Sequence, residues 1–450
     1  GPPALQHDAT PRSAPMSDGK IQIVDVRRQS SALLEGLRHR SLADLPPEVE
    51  ERTRQIVARV REDGDRAVVE YERQFDCPTL TVEKLRVSDA EMEAAYARVT
   101  PEWIGAFRRA KENIYAFHER LRPSSWFDSF DGMWLGQKVT ALNAVGLYVP
   151  AGKAPLPSTL AMSAVPARVA GVNRLVLATA PSQDGSLHPT MLVAAAECGV
   201  DEVYRMGGAQ AIAAMAYGTD TIEPVDKIVG PGNPYVIMAK KHVFGTVGIE
   251  SLPGPSESLI IADAASDPRL VAADLLSQAE HTGDNLVILL TPEPALAEAV
   301  REEAHRQLSA LPRMELTSSS LGDYGLIAIV RDLQQAVEIS NDIAPEHLEL
   351  AVTQPLDLLG EVENAGCVCL GHLTTVPLAD YAAGPSHVLP TNGTARFSSP
   401  LSVEDFIKKS SLVYADPRGL QRLGKDVMTL AEGEGLYAHA EAVRKRLHDA

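Results

Sequence analysis

Apolar positions along the chain change their spacing twice. In residues 46–117 they recur at steps of three and four, which predicts amphipathic helices. From Ala144 onward, short apolar runs alternate with helix-like segments, a rhythm typical of a parallel β-sheet with crossover helices. After Pro400 the pattern predicts helices again, at 403–409 and 437–447.

The alternating part forms two units of similar length and rhythm. In the first, the predicted strands are 145–149, 174–178, 202–206 and 227–229, and the predicted helices are 158–170, 189–198 and 209–217. In the second, the strands are 258–262, 285–290, 325–330, 347–352 and 367–370, with helices at 267–280, 295–310 and 333–341. The similarity leaves an internal duplication open, because no residue-level repeat accompanies it.

The chain is therefore predicted to be an α/β protein with two Rossmann-like, incompletely doubly wound parallel-sheet domains and helical N-terminal and C-terminal extensions. Its 450 residues exceed the size at which a single core keeps growing, which also favours several domains. Residues 1–20 are polar, rich in proline and serine, and include Met16, so we interpret them as a flexible extension or a tag. Residues 21–45 are expected to form an N-terminal arm.

The amino-acid composition indicates which classes of binding partner are unfavourable. The chain has 60 acidic and 42 basic residues, and its net charge of −18 opposes attraction to nucleic acid or anionic lipid. No uncharged stretch reaches the roughly 20 residues that a membrane span needs. A hydrophobic fraction of 45% and a charged fraction of 23% are ordinary for a folded domain. We therefore expect a cytoplasmic protein that binds neither nucleic acid nor membranes.

Four cysteines occur, Cys77, Cys198, Cys367 and Cys369, and none belongs to a Cys-x-x-Cys pair. Cys367 and Cys369 alternate with Val368 in a strand-like run, where small buried cysteines are common, so core packing is the favoured interpretation. Disulfides and a thiolate zinc cluster are both unexpected. A metal ion would need nitrogen and oxygen ligands.

Glycine-rich turns follow three predicted strands of the first unit, at 148–153, 207–210 and 230–233. Loops beyond the carboxyl ends of parallel strands bind ligands in such folds, and the helices that follow offer free N–H groups to phosphate. No Gly-x-Gly-x-x-Gly motif occurs in these turns. A dinucleotide site and ordinary tight turns are therefore about equally compatible with the sequence.

Two short segments carry side chains suited to metal binding or proton transfer. Gln278 and His281 are three residues apart in a predicted helix and share one face, although a surface glutamine and a histidine near the helix C-terminus would give the same pattern. Glu346 and His347 stand side by side at a predicted strand start after Pro345. This suits a group that moves a proton beside one that activates water, with a solvated charge pair as the alternative.

Three further segments are candidates. Asp380 and His387 share a loop whose glycine and proline allow them to converge, and a metal site is one interpretation of this pair. Glu434 lies between two glycines and His439 lies on the helix that follows, in a tail that can dock on a neighbouring subunit. Ser256 precedes a strand, where it would bind substrate or simply form a turn. No Gly-x-Ser-x-Gly elbow surrounds Ser256, so it is not expected to be a nucleophile.

The order and spacing of these motifs together resemble the histidinol dehydrogenase family, from about Ile23 to Val443. The motifs are Gly-Gly-Ala-Gln210-Ala-Ile, Val-Gly-Pro-Gly-Asn233, Pro-Gly-Pro-Ser256-Glu, Ser-Gln278-Ala-Glu-His281, Ala-Pro-Glu346-His347-Leu-Glu, Asp380-Tyr followed by Gly-Pro-Ser-His387-Val-Leu-Pro-Thr, and Ala-Arg-Phe-Ser-Ser-Pro. No single motif is decisive. The resemblance implies an aldehyde dehydrogenase/histidinol dehydrogenase-like fold.

The resemblance also implies a reaction. Members of the family oxidise L-histidinol through an enzyme-held aldehyde to L-histidine, the last steps of histidine biosynthesis, and reduce two NAD⁺ in succession. His347 would be the general base for alcohol oxidation, and Glu346 would activate water for hydration of the aldehyde. A zinc ion, one per subunit, would be held by Gln278, His281, Asp380 and His439. The substrate would contact Ser256, Gln278, His281, His347, Asp380, His387, Glu434 and His439, and NAD would contact Tyr148, Gln210 and Asn233.

A domain organisation and an assembly are implied as well. Residues 148–255 would form an NAD-facing α/β domain, and residues 46–147 together with 256–400 a larger α/β domain with most of the catalytic and zinc residues. Similar family members are homodimers in which the C-terminal tail reaches into the partner's site. Residues 401–450 would thus be a helical tail docked on the partner subunit, and each active site would be shared between subunits.

Two other functions stay compatible with the motifs. A relative with the same scaffold would oxidise another polar alcohol, such as a sulfonated diol, although a sulfonate favours arginine or lysine where this chain has Glu434. A zinc hydrolase would use a similar nitrogen and oxygen site with an activated water and would not need NAD. A purely binding protein would leave the acid, base and ligand residues without a purpose.

Overall fold

The computed structural model describes residues 21–28, 37, 45–151, 155–280, 285–312 and 314–449. Within these ranges, no helix combines the length and apolar character that crossing a membrane requires. The strands, in chain order, are β1 Gln22–Asp25, β2 Trp126–Phe130, β3 Met133–Ala141, β4 Ala144–Tyr148, β5 Arg174–Thr179, β6 Glu202–Arg205, β7 Lys227–Val229, β8 Gly248–Ile249, β9 Glu257–Ala262, β10 Leu286–Thr291, β11 Gly325–Ile329, β12 His347–Ala351, β13 Cys367–Leu370 and β14 Ile407–Ala415.

Most of the helices begin with proline in the first turn, where the missing N–H leaves no helical hydrogen bond unmade. The α-helices are α1 Pro47–Asp63, α2 Asp65–Phe75, α3 Asp89–Ala95, α4 Pro101–Glu119, α5 Pro157–Ala170, α6 Pro189–Glu197, α7 Gly208–Tyr217, α8 Pro234–Val243, α9 Pro268–Ala279, α10 Pro294–Leu308, α11 Met314–Tyr324, α12 Leu333–Ile343, α13 Pro355–Leu359, α14 Val376–Leu378, α15 Pro417–Gly433 and α16 Tyr437–Asp449. Short 3₁₀ turns lie at Val82–Lys84, Tyr96–Arg98, Thr394–Arg396 and Val403–Phe406, and a π-helical turn at Ala379–Ala383.

Two parallel sheets form the frame, as the alternating pattern predicted. The five-stranded sheet has the order β6-β5-β4-β7-β8, and the six-stranded sheet has the order β1-β11-β10-β9-β12-β13. All neighbouring strands in both sheets run parallel. Every predicted strand of the two units is present. The predicted α/β class with two parallel sheets is therefore confirmed, whereas duplication stays open.

The N-terminal arm contributes a strand that the sequence did not predict. Residues Gln22–Asp25 pair in parallel with β11 at one edge of the six-stranded sheet. The four residues are only partly buried, so their hydrophobic pattern is too weak to predict a strand from the sequence. Their hydrogen bonds are completed only by the neighbouring strand β11.

The helical prediction for residues 403–409 was wrong beyond one 3₁₀ turn. Residues Ile407–Ala415 form β14, which pairs antiparallel with β3, and β3 pairs with β2 in a separate three-stranded sheet. Most side chains of β14 and all of β2 are exposed, so no strong two-residue periodicity marks them in the sequence. The C-terminal extension therefore begins with a strand, and only α15 and α16 are helical.

The helices before residue 120 pack on the five-stranded sheet. Ile56 and Val60 of α1 join one apolar cluster with Ile212 of α7, and Ile114 of α4 joins a second cluster with Leu147 of β4. This packing differs from the predicted grouping of residues 46–147 with 256–400. An amphipathic pattern predicts that a helix has a buried face but not which sheet covers it.

Candidate active site

The predicted acid and base, Glu346 and His347, lie at the amino end of β12, beside the amino end of β9. His347 begins β12 and is paired in register with Ser258 of β9, so Glu346 stands opposite Glu257. The two glutamates exchange hydrogen bonds: the N–H of Glu257 donates to Glu346 Oε2 at 2.9 Å, and the N–H of Glu346 donates to Glu257 Oε2 at 3.3 Å. Glu346 is 6% exposed and His347 is 3% exposed. A solvated charge pair is thereby excluded.

Both nitrogens of the His347 ring have partners. Nδ1 lies 3.3 Å from the carbonyl oxygen of Glu257, which can only accept, so Nδ1 carries the proton of this contact. Nε2 lies 3.2 Å from Asp380 Oδ1. Nδ1 is also 3.8 Å from Glu346 Oε2. Nε2 is therefore the ring atom at which a proton can be taken up or released.

Burial and neighbouring charges act in opposite directions on the pKa of each group, and the net effect raises the pKa of both Glu346 and His347. Burial disfavours the carboxylate of Glu346 and raises its pKa to about 7, in spite of the neighbouring imidazolium of His347. Burial alone would lower the pKa of His347, but the carboxylates of Glu346 and Asp380 outweigh it and raise the pKa to about 9. Both groups therefore change protonation in or just above the neutral range, where general bases are effective.

Asp380 lies in a turn that packs against α4, one of the helices that cover the five-stranded sheet. It lies in the π-helical turn Ala379–Ala383, whose Ala382 carbonyl accepts a hydrogen bond from Asn113 Nδ2 at 2.9 Å. The turn ends at Gly384, where φ is +124° and a Cβ atom would lie 2.8 Å from the Asn113 carbonyl oxygen. Only glycine permits this close approach to α4, which fixes the carboxylate beside His347.

His387 lies beside the main chain of Asp380. Its Nδ1 lies 2.8 Å from the main-chain carbonyl of Asp380, and its Nε2 lies 3.0 Å from Thr159 Oγ1. Thr159 stands in the first turn of α5, directly after the carboxyl end of β4. The carboxyl end of the five-stranded sheet thus meets the amino end of β9 and β12 at this site.

Gln278 lies in the last turn of α9 with only 2% of its surface exposed. Its Nε2 is buried and has no hydrogen-bond partner among the described residues. One turn earlier on the same face, Asp274 accepts a hydrogen bond from Thr375 Oγ1 at 2.5 Å. Thr375 precedes the short helix α14 that leads to Asp380, so this hydrogen bond links α9 to the segment that carries Asp380. The burial of Gln278 argues against a surface glutamine.

Other predicted site residues have different positions. Ser256 is half-buried and precedes β9, where its carbonyl accepts from the N–H of Leu286. Glu434 and His439 are exposed on the α15–α16 hairpin, and neither completes the buried cluster within the described chain. His281 lies outside the described residues. Among those described, no group of three or more His, Cys, Asp or Glu side chains is arranged to hold a metal ion.

The turn after β6 has its N–H groups satisfied internally. The N–H of Gly207 donates to Glu72 Oε1 at 2.7 Å, and the N–H of Gly208 donates to the hydroxyl of Tyr148 at 3.0 Å. Gln210 is 1% exposed and its Nε2 donates to the same Glu72 oxygen at 2.8 Å. The expectation that this helix start offers free N–H groups to phosphate was therefore wrong at Gly207 and Gly208.

The turn after β7 is held in a similar way. The N–H of Gly230 donates to Glu250 Oε1 at 2.7 Å, and Lys240 Nζ, fully buried, bridges Glu250 Oε2 at 2.7 Å and the Gly230 carbonyl at 3.1 Å. Asn233 is exposed and caps α8 by accepting from the N–H of Val236. The third turn, at Gly152 and Lys153, lies outside the described residues.

Sequence reasoning missed three residues at the site. Glu257 was noted only as the residue that follows Ser256, and Thr159 was not singled out, since their partners are 89 and 228 residues away. Cys367, interpreted as core packing, is half-buried and stands opposite His347 in the β12–β13 register. A hydrogen bond with Cys369 and the charge of His347 lower the pKa of Cys367 to about 7 against the effect of burial. The sequence signal for Glu257 was that an acidic residue stands at the start of an apolar strand, as Glu346 does before β12.

Comparison with known proteins gives one consistent result. The family model of histidinol dehydrogenase matches residues 39–447. The histidinol dehydrogenase of Thermosynechococcus vestitus is 53% identical over 393 residues, which cover 87% of this chain and 91% of that protein. That of Bacillus subtilis is 49% identical over 394 residues, covering 87% and 92%. The crystal structure of histidinol dehydrogenase from Elizabethkingia anophelis matches with a TM-score of 0.90 at 35% identity, covering 95% of this chain and 98% of that one.

Proposed function

The chain belongs to the histidinol dehydrogenase family, and from this premise we propose that it oxidises L-histidinol through L-histidinal to L-histidine with NAD. The observation that carries the proposal is the buried cluster of Glu346, His347 and Asp380 at the amino ends of β9 and β12. Oxidising an alcohol to an acid removes two electron pairs. Such a site needs one base for the hydroxyl proton and a base for the water that enters.

His347 is assigned to the hydroxyl proton. Because its Nδ1–H is held by the Glu257 carbonyl, the neutral ring presents the lone pair of Nε2. Nε2 takes the proton of the substrate hydroxyl as the carbon loses hydride, and the carboxylates of Glu346 and Asp380 stabilise the imidazolium that results. NAD, when bound, accepts the hydride in each of the two oxidations.

Glu346 is assigned to the entering water. Its Oε2 is anchored by the N–H of Glu257, and its pKa, raised to about 7 by burial, leaves a usable carboxylate fraction at neutral pH. The carboxylate removes a proton from water as the water adds to the aldehyde carbon. Separate bases for the two half-reactions would allow one site to perform both oxidations.

A zinc ion fits the donors that the site presents. The amide of Gln278 is buried and its oxygen can bind a metal ion, and the carboxylate of Asp380 lies within the cluster. We assign the ion to Gln278, His281, Asp380 and His439 of the partner subunit, a set of nitrogen and oxygen donors without thiolate. Zinc supplies Lewis-acid polarisation and orientation of the substrate oxygen. Ser256, His387 and Glu434 are assigned to further substrate contacts.

NAD is assigned to the carboxyl edge of the five-stranded sheet, beside Tyr148, Gln210 and Asn233. Support comes from the position of Tyr148 at the carboxyl end of β4, of Gln210 in the first turn of α7 after β6, and of Asn233 at the N-cap of α8 after β7. Asn233 is exposed, whereas Tyr148 and Gln210 are buried and shape the turn from within. The proposal also includes an NAD-facing domain built on the five-stranded sheet, with the helices before residue 120 packed on that sheet. A cytoplasmic location is proposed as well, for which the four free cysteines are an argument.

The proposed homodimer would place the C-terminal hairpin over a second copy's site. The three-stranded sheet exposes large apolar side chains on β2, β3 and β14, and the hairpin exposes more beside Glu434 and His439. These residues are Trp126, Phe127, Phe130, Trp134, Val413, Tyr414, Leu430, Leu436 and Tyr437. Exposed apolar surface of this extent is typical of an interface, and exposed ligands on the same element suit a shared site.

Glu346→Gln should separate the two oxidations. The amide keeps the size and the hydrogen bond from Glu257 but cannot accept a proton from water, so oxidation of supplied L-histidinal should slow by about 10²-fold or more. The first oxidation, measured as a single-turnover burst of NADH from L-histidinol, should persist. Equal loss in both steps, or in neither, would contradict the assigned role.

The pH profile gives the matching control for this variant. In the unaltered protein, aldehyde oxidation should accelerate as pH rises through about 7, because the active form of Glu346 is the deprotonated one and burial raises its pKa to that value. In Glu346→Gln this rise should disappear. Alcohol oxidation should continue to accelerate toward pH 9 as His347 loses its proton.

A further inference from the structure

A buried carboxyl group lies behind the turn that follows β6. Glu72, on α2, has no exposed surface. Its Oε1 accepts from the N–H of Gly207 at 2.7 Å and from Gln210 Nε2 at 2.8 Å. These partners are 135 and 138 residues further along the chain. One oxygen of Glu72 thus fixes both the turn and a side chain assigned to the NAD site.

Two atoms of this cluster are left without partners among the described residues. They are Glu72 Oε2 and Gln210 Oε1, and both are buried. If Glu72 were ionised, each atom would be an acceptor without a donor, which is unfavourable inside a protein. They are the two remaining atoms of a carboxyl and an amide already joined by one hydrogen bond.

A single proton on Glu72 would give both unpaired oxygens a hydrogen-bond partner. A protonated Oε2–H can donate to Gln210 Oε1 while Gln210 Nε2 donates to Glu72 Oε1, which closes a cyclic acid–amide pair. Oε1 still accepts from the N–H of Gly207. Burial raises the pKa of Glu72 to about 8, against the hydrogen bonds from Gly207 and Gln210, and the charge of Asp76 adds to the rise. The neutral acid therefore agrees with the geometry.

The conformation of the Gly207–Gly208 turn depends on the hydrogen bonds that its N–H groups make to buried side chains. Gly208 has φ of +58°, and a Cβ atom on Gly207 would lie 2.7 Å from Ala180 Cβ, so the backbone is tightly confined. Tyr148 holds the second N–H from β4, and Glu72 holds the first from α2. With Glu72 removed, the Gly207 N–H and the Gln210 amide would both be buried without partners.

We propose that Glu72, in its protonated form, is a positioning residue that orients Gln210 and the Gly207–Gly208 turn to receive NAD. This inference rests on the proposed function, because the assignment of Gln210 to the NAD site belongs to that proposal. Glu72 itself touches neither substrate nor cofactor. Its loss should therefore weaken NAD binding more than it slows the chemical steps.

The test compares Glu72→Gln with Glu72→Met in the full chain under steady-state conditions, with NAD and L-histidinol varied in turn. Glu72→Gln can keep the cyclic pair as an amide–amide pair and should leave the KM for NAD within about twofold of the unaltered value. Glu72→Met fills the space without donor or acceptor and should raise the KM for NAD about tenfold or more. The KM for L-histidinol and kcat should change by less than about threefold.

A matched control removes another buried carboxyl group from the same helix. Asp65, 6% exposed, accepts from Thr221 Oγ1 at 2.9 Å, so its hydrogen bond goes to Thr221 and not to the Gly207–Gly208 turn. Asp65→Leu should leave the KM for NAD unchanged even where it lowers the melting temperature. A rise equal to that of Glu72→Met would mean general loosening of α2 and would overturn the inference.

The remaining outcomes are equally decisive. An unchanged KM for NAD in Glu72→Met, or a Glu72→Gln variant as impaired as Glu72→Met, would refute the role of the neutral acid. If Glu72→Met fails to fold, Glu72→Asp replaces it, because the shorter acid cannot reach Gln210 and should raise the KM in the same way. Gln210→Ala tests the premise: with its KM for NAD unchanged, the cofactor assignment fails and this inference fails with it.

Discussion

Replacing His347 by asparagine should lower kcat for L-histidinol oxidation by about 10³-fold or more. Asparagine retains a polar group near Asp380 and the Glu257 carbonyl but cannot take up a proton at the position of Nε2. The hydroxyl proton then has no acceptor when hydride leaves. Steady-state NADH formation measures the loss, and zinc content measured on the same sample should stay at the level of the unaltered protein, because His347 is not an assigned ligand.

A second histidine provides the control. His188 caps α6, with its Nδ1 2.8 Å from Thr190 Oγ1, and asparagine is a favourable residue at a helix N-cap. His188→Asn should keep full activity. A His347→Asn enzyme with more than about a tenth of the original kcat would show that another group takes the proton, since a positioned base contributes at least about 10²-fold.

Mixing two inactive variants should restore activity if the sites are shared. His439→Asn should lose zinc and turnover, and His347→Asn should lose turnover alone. In a mixed dimer, one site receives His347 from one chain and His439 from the other, so one of its two sites is complete. Random exchange makes about half of the dimers mixed, and the expected recovery is about a quarter of the unaltered activity.

The control for this experiment pairs two changes on the same side of the proposed interface. His347 and Asp380 are joined within one chain by a 3.2 Å contact, so a mixed dimer of His347→Asn with Asp380→Asn has no complete site. It should recover no activity. Absence of recovery in the first mixture, with mixed dimers verified by differently tagged subunits, would place the whole site within one chain.

The strands around the site were predictable because their signal is local. The apolar runs of β9 and β12 are long enough to be identified without their partners, and Pro345 predicts an extended start for His347. Their pairing is not local. Glu257 gained its role only when β9 and β12 became neighbours, which set it against Glu346 from 89 residues away.

The errors have the same physical origin. Residues Ile407–Ala415 expose most of their side chains, so their strand character depends on β3 rather than on burial of their own. The glycine turns after β6 and β7 were correctly placed, but the sequence could not indicate that Glu72 and Tyr148 already occupy the N–H groups of Gly207 and Gly208. The strand at β14 and the occupied N–H groups of the turn both result from contacts between segments far apart in the chain. Secondary-structure propensity and residue spacing do not predict such contacts.

The number of NADH formed per L-histidinol consumed tests whether the protein carries out a four-electron oxidation of L-histidinol by NAD at a zinc site. Purified protein should form about two NADH per substrate, lose this activity on chelation, and regain it with zinc. One NADH with accumulating aldehyde would contradict the double oxidation. No NADH, or a yield indifferent to chelation, would contradict the account as a whole and direct attention to sulfonated diols or hydrolysable substrates.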